Sequence, residues 1–122
     1  MVEPEQPEGM LSPYRVLDLT DEKGVLCGKL LADLGADVIK VEPSGGDPMR
    51  HIGPFYHDVP DPEKSLYWFT FNTSKRSITL DITEIDGQEI FKRLAKQADI
   101  VIESFPLGYL DGLGLGYTML KE

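Results

Sequence analysis

The chain has 122 residues, 21 of them acidic and 12 basic, for a net charge of −9. A balance this acidic argues against nucleic acid or an anionic membrane as partner, since either needs a basic surface. A pocket with local donors still admits an anionic small ligand. With 41% hydrophobic and 27% charged residues, the composition is that of a folded globular protein, and the length suits one domain. Cys27 is the only cysteine, so no intrachain disulfide forms. Its place in a helical pattern favours a small buried core residue over a reactive thiol. One unpaired cysteine without a signal-peptide pattern leads us to expect a cytoplasmic protein. No apolar run approaches the roughly 20 residues of a membrane helix.

Residues 1–13 are polar, proline-containing and without periodicity, and are expected to form a flexible arm. The stretch from Tyr14 to Glu42 organises the rest of the chain. Val16, Leu17 and Leu19 make a short apolar run, as in a buried parallel strand. Leu26, Leu30, Leu31 and Leu34 then recur at helical spacing and are expected to face the core. Gly35 comes next, where a helix end favours positive φ. Val38, Ile39 and Val41 form a second strand within Ala36–Glu42. Strand, helix and strand with short joints read as a βαβ unit with a right-handed crossover.

Pro43-Ser-Gly-Gly-Asp-Pro48 marks a loop at the carboxyl end of that strand, the end at which open α/β sheets bind ligands. Met49 to Lys64 continues irregularly. A loop this long is usually functional or mobile. His51 and His57 lie in it without metal-ligand spacing and are expected to be exposed. Ser65 to Asn72 is strongly aromatic and fits either one to two helical turns or a strand. Leu66 and Phe69 are candidates to face a core. For Trp68, core packing is favoured over stacking on a ligand. Lys75 and Arg76 form an adjacent cationic pair before the next strand.

Ser77 to Ile82 alternates as a third strand through Ile78, Leu80 and Ile82. Thr83 is a candidate cap for the following helix, with Glu84 and Asp86 suited to its positive start. Ile90, Phe91, Leu94 and Ala98 are expected to face inward. Asp99 to Glu103 gives a fourth strand and completes a second βαβ unit. The expected fold is therefore α/β: a partial doubly wound, Rossmann-like, mostly parallel sheet built from two βαβ units. Glu42 and Glu103 end their strands at the ligand edge, and loop or backbone hydrogen bonding is favoured over ligand orientation. Gly112-Leu-Gly114-Leu-Gly116 has neither the spacing nor the context of a dinucleotide fingerprint, which counts against a nicotinamide-dependent domain. Tyr117 to Glu122 begins a further helix. The open strands are expected to leave apolar sheet surface exposed.

Several segments carry a more specific message. VLDLT at 16–20, LLADLGADVIKVE at 30–42, GGDPMR at 45–50, KRSITLD at 75–81, ADIVIESF at 98–105 and LGLGY at 113–117 resemble the amino-terminal region of the class III CoA-transferases. This is the group that includes carnitine-CoA-transferase, bile-acid-inducible and formyl-CoA-transferase proteins. The resemblance implies an enzyme that moves CoA between an acyl-CoA and a carboxylic acid acceptor, with some members acting as racemases. In the transferases an aspartate attacks the thioester and forms a mixed anhydride. The CoA thiolate then attacks to give an aspartyl-CoA thioester, which passes CoA to the acceptor. Coenzyme A is a substrate here, and no tightly bound cofactor or metal is implied. The family fold implies an interlocked homodimer.

The family's nucleophilic aspartate lies beyond the LGLGY segment, so no catalytic residue is assigned within 14–122, read as the amino-terminal part of the family's large domain. The resemblance assigns CoA contacts to Lys23 and Gly24, to Leu80, Asp81, Ile82 and Thr83, and to Ser104, Phe105 and Pro106. Leu80 and Phe105 would wall the adenine. Basic residues of formyl-CoA transferase are replaced by Pro43, Thr83 and Gly112, which leaves Arg50, Lys75 and Arg76 as substitutes for phosphate binding. Two functions are compatible with these residues. One is the CoA-binding part of a transferase that is inactive alone. The other is a non-catalytic CoA-binding or scaffolding subunit paired with a separate catalytic chain.

Overall fold

The structure is a computed structural model that describes residues 9–121. Four parallel strands form one sheet: β1 (Arg15–Leu19), β2 (Asp37–Glu42), β3 (Arg76–Thr79) and β4 (Ile100–Glu103). Their order is β3-β2-β1-β4. In register, Leu17 faces Ile39 on one side and Val101 on the other, and Val41 faces Ile78. The helices are α1 (Val25–Asp33), α2 (Leu66–Phe71), α3 (Ile85–Lys96), α4 (Tyr109–Gly112) and α5 (Tyr117–Leu120). The α/β class and the two strand–helix–strand units are as the periodicity predicts. The second unit begins and ends on opposite edges of the sheet, because α3 carries the chain from β3 across to β4.

Each face of the sheet has its own core. Leu17, Leu19, Ile39 and Val41 pack with Ile82, Phe91 and Leu115 on the α3 side. Val16 and Val38 pack with Ala32 and Ala36 on the α1 side. A third cluster joins Val25, Met49 and Trp68. Burying a side chain as large as Phe91 contributes about 1.5–3 kcal/mol. Ser65 caps α2 by accepting a hydrogen bond from the Trp68 amide at 3.1 Å, which settles that aromatic stretch as helix.

Several expectations about faces are corrected. α1 buries Val25, Gly28 and Ala32, while Leu26, Leu30 and Leu34 stand exposed, at 51, 53 and 46%. Small residues let the helix lie close over the Asp18 carboxylate, and the leucine stripe is turned outward; only Leu31 of that stripe joins the core. Cys27 lies beside the stripe and is exposed rather than buried. In α2, Leu66 and Phe69 are exposed and Trp68 faces in. In α3, Phe91 is buried and Ile90 is exposed. Thr83 does not cap α3: its amide and hydroxyl both turn back to Asp81 Oδ1, at 2.9 and 2.5 Å, and Glu84 holds the cap position. Of the stretch expected to be a loose arm, residues 1–8 lie outside the described residues. Gly9–Pro13 are tied to the α1–β2 joint, where the Leu11 amide donates to the Leu34 carbonyl at 2.9 Å and Ser12 Oγ to the Gly35 carbonyl at 3.1 Å. Gly35 has φ +105°, as the helix end requires.

Candidate functional site

β1 has β2 on one side and β4 on the other, so the chain leaves β1 in one direction and returns to its far side later. In a doubly wound sheet this reversal opens a crevice at the carboxyl ends of the two strands. Two loops meet there. Ser104 Oγ accepts the Asp21 amide at 2.9 Å and donates to Asp21 Oδ1 at 2.8 Å. The Asp21 carboxylate also takes the Lys23 amide at 2.9 Å and the Lys23 ammonium at 3.2 Å. Desolvation opposes ionisation of Asp21, but these donors outweigh it and hold its carboxyl below the usual value. The Gly24 amide closes the turn onto the Asp21 carbonyl at 3.1 Å.

Beside this clasp lies a cavity of 230 Å³. Its walls are Leu19, Val41, Leu80, Ile82, Phe105 and Tyr109, with Thr20, Asp21, Asp47, Asp81 and Thr83 as polar groups. Of the residues predicted from sequence, Leu80, Asp81, Ile82, Thr83 and Phe105 converge on it. Ser104 reaches it only through Asp21. Lys23 and Gly24 sit on the neighbouring turn, and Pro106 lines a different groove. That groove, of 570 Å³, runs along the open side of β4 between α3, α4 and α5. A bare strand edge attracts polypeptide more than a small molecule, so the smaller cavity at the strand ends is the better ligand site.

Among the described residues, no lysine or arginine lines the smaller cavity. The three cations expected to serve phosphate groups are all engaged elsewhere. Arg50 forms a two-point pair with Glu42, at 2.6 and 2.9 Å. The Lys75 side chain is only 1% exposed and sits 2.7 Å from Asp18 Oδ2. Arg76 grips Asp37 at 2.9 and 2.7 Å, at the opposite end of the strands. Asp81 is held below its ordinary pKa by the Thr83 hydroxyl and amide. The cavity therefore has apolar walls and an acidic rim.

Beneath it lies a layer that sequence reasoning missed. Asp18, Lys40 and Glu42 are buried on the α1 face. Lys40 Nζ lies 3.4 Å from Asp18 Oδ1 and 3.6 Å from Asp47 Oδ2, and it also donates to the Thr20 carbonyl. Glu42 takes the Asp47 amide at 2.9 Å, Arg50 and the Ser77 hydroxyl. Burial pushes Asp18 up, but Lys40, Lys75 and Thr20 together draw it below the ordinary value. Burial likewise opposes Glu42, and Arg50, Ser77 and the Asp47 amide bring it down to about 2. Burial raises Asp47, against the Met49 amide and Lys40. A signal was present: period-two alternation puts Asp18 and Lys40 at the same level on one face of adjacent strands.

Glu42 thus serves loop geometry, and Glu103 likewise accepts the Phe105 amide at 2.6 Å. His51 and His57 are exposed. Among the described residues, no group of three or more His, Cys, Asp or Glu side chains could hold a metal ion. No helix among them is long and apolar enough to cross a membrane.

Residues 11–122 match the sequence profile of CoA-transferase family III. The chain belongs to that family. It is 44% identical over 111 residues to the succinyl-CoA:(R)-benzylsuccinate CoA-transferase subunit BbsE of Thauera aromatica, covering 91% of this chain and 27% of that protein. It is 42% identical to the succinyl-CoA:mesaconate CoA-transferase of Haloarcula hispanica, covering 93% of this chain and 29% of that one. Among solved structures, a CAIB/BAIF family protein from Brucella suis superposes with a TM-score of 0.84 at 44% identity, over 93% of this chain and 30% of that one. This family III chain spans less than a third of the length of these relatives.

Proposed function

We propose that this chain provides the CoA-binding part of an enzyme that moves CoA between carboxylic acids, with the aspartate nucleophile supplied by residues outside these 122. Family membership over residues 11–122 supports the chemistry. The observation that carries the assignment is the convergence of Leu80–Thr83 and Phe105 on the cavity beside the β1–β4 crevice. Leu80, Ile82 and Phe105 offer apolar surface to the adenine ring of CoA. Asp81 and Asp21 are acceptors for neutral donors such as an exocyclic amine. Lys23, exposed on the turn after β1, pairs with the cavity-lining Asp21 and meets the phosphate groups outside the cavity. The acyl donor is a CoA thioester and the acceptor a carboxylate. In the complete enzyme two copies form a homodimer, and the protein works in the cytoplasm. The chain's own share of the work is to bind and orient CoA.

A second reading is favoured by one relative. The Thauera protein is named as a subunit. On that pattern, this chain is a non-catalytic partner of a separate chain that carries the nucleophile.

Calorimetric titration of CoA into the purified chain tests the binding claim, and an acyl-CoA consumption assay tests the chemistry. The expected result is binding without turnover. Heat-silent titration overturns the CoA site. Turnover by the pure chain overturns the external nucleophile. Restoration of transfer by a separately purified aspartate-bearing chain selects the second reading.

A further inference from the structure

We propose that Asp18 and Lys75 are positioning residues that hold the Thr20–Gly24 turn in its ligand-binding shape without touching the ligand. The inference rests on the CoA-binding reading for its functional consequence, but its structural content stands apart from it.

The geometry is a relay. Lys75 Nζ donates to Asp18 Oδ2 at 2.7 Å, to the Val25 carbonyl at 3.2 Å and to Asn72 Oδ1 at 3.0 Å. One ammonium therefore joins the carboxyl end of β1, the first turn of α1 and the end of α2. Its three donors are all used, as a lysine's can be. The second oxygen of Asp18 faces the turn. Oδ1 accepts the Thr20 amide at 2.9 Å and the Thr20 hydroxyl at 2.6 Å. The turn is thus gripped at Thr20 from Asp18 and at Val25 from Lys75, and the residues between these points carry the Asp21–Ser104 clasp. Both side chains are essentially excluded from water, at 0 and 1% exposure. Neither lines the cavity. Buried charge is tolerated when every lone pair and proton is used; here the bonds to Thr20 and Val25 hold the two ends of the turn beside the crevice, while those to Asn72 and Lys40 anchor the pair to α2 and β2. Gly28 is the clearance for the relay, because a Cβ there would collide with Asp18 Oδ2.

The test uses the full chain with Lys75→Met, Asp18→Asn and a control, Val38→Ala. Val38 is buried on the same face of the sheet but at its amino end, away from the relay. Two quantities are measured under conditions where all variants are folded: amide hydrogen exchange at Thr20–Gly24, and CoA affinity. Exchange is normalised to amides of α3, which holds none of the substituted residues. The expected result is selective loss of protection at Thr20–Gly24 in both relay variants but not in Val38→Ala, with CoA affinity lowered by about tenfold or more in the relay variants only. Uniform loss of protection in all three variants overturns the proposal, because it would mean the pair serves stability alone. Unchanged protection of the turn in a folded relay variant also overturns it. If the unaltered chain binds no CoA, the CoA reading falls, and the exchange comparison still decides the positioning role. If either relay variant fails to fold, the other decides.

Discussion

Glu42 and Arg50 are locked in a two-point ion pair, with Arg50 Nε 2.6 Å from Oε1 and one terminal nitrogen 2.9 Å from Oε2. The guanidinium of the same arginine lies 4.1 Å from the centroid of the Trp68 ring. Glu42 ends β2, Arg50 comes after the glycine-rich loop and Trp68 lies in α2, so one contact chain staples that loop to the sheet. It also commits two Arg50 donors and one face of its guanidinium to the fold rather than to a phosphate.

Acid should dissolve this staple in a defined window. Glu42 has an ordinary value of 4.5 and is held at about 2 in the fold. A lowered carboxylate contributes stability in full above its unfolded pKa, and that contribution is lost as pH falls through the folded one. The loss therefore runs from about pH 4.5 down to about 2, on the order of 2–3 kcal/mol. Asp18 and Asp37 are also lowered and act in the same direction. Asp47 is raised, so its protonation offsets part of the loss. Urea unfolding at pH 7 and pH 3 should show lower stability at pH 3. The Glu42→Gln variant should lose less between the two pH values, while starting about 3–5 kcal/mol lower because Arg50 loses its buried counter-charge. Equal pH dependence in both proteins would contradict the role given to Glu42.

Arg50→Lys separates fork geometry from charge. A lysine keeps the positive charge but loses the second hydrogen bond and the planar stacking on Trp68. The expected cost is about 1–3 kcal/mol. Trp68 is the only tryptophan, so its fluorescence reports the site directly. An unchanged emission maximum and an unchanged urea midpoint would show that the stacking contributes nothing.

The staple also shows what the sequence made legible and what it did not. Strand and helix placement followed from periodicity: Val16–Leu19, Val38–Val41 and Ile100–Ile102 are apolar runs with no competing pattern. Which face of each helix packs was less legible. In α1 the larger residues, Leu26, Leu30 and Leu34, form the better stripe, yet the smaller Gly28 and Ala32 are buried because the sheet beneath carries a charged layer. A single-helix pattern cannot report what the opposite surface requires. The candidate site was legible in part. Leu80–Thr83 and Phe105 emerged from family resemblance and converge on one cavity. The Asp18–Lys75 relay joins residues 57 apart in sequence, and no local rule links Lys75 to Asp18.

Two glycines should respond with opposite sign to the same substitution. Gly28→Ala adds a Cβ where the Asp18 carboxylate already sits, 0% exposed and unable to move without breaking its bonds to Thr20 and Lys75. The steric cost should exceed the gain in helix propensity, for a net loss of about 1–3 kcal/mol. Gly112 closes α4 with open space where a Cβ would stand. Gly112→Ala should be neutral or stabilising by up to about 1 kcal/mol. Chemical denaturation of the two variants beside the parent chain checks both signs. Stabilisation by Gly28→Ala would mean that α1 can move off the sheet freely.

The exposed stripe on α1 makes the last prediction. Leu26 and Leu30 in α1, with Leu34 at its C-cap, are each about half exposed. Contiguous apolar surface of this kind favours association in water. The isolated chain should therefore self-associate with rising concentration. Leu26→Lys with Leu30→Lys should lower that tendency, because lysine places a hydrated charge on the stripe while keeping good helix propensity. Since neither leucine is in a core cluster, the monomer's stability should change by less than about 0.5 kcal/mol. Sedimentation velocity across a concentration series, with urea unfolding at the lowest concentration, reads both quantities. A parent chain that stays monomeric throughout would show that the stripe is too small to drive association. A double variant that loses several kcal/mol would show that these leucines support the fold from outside the identified core.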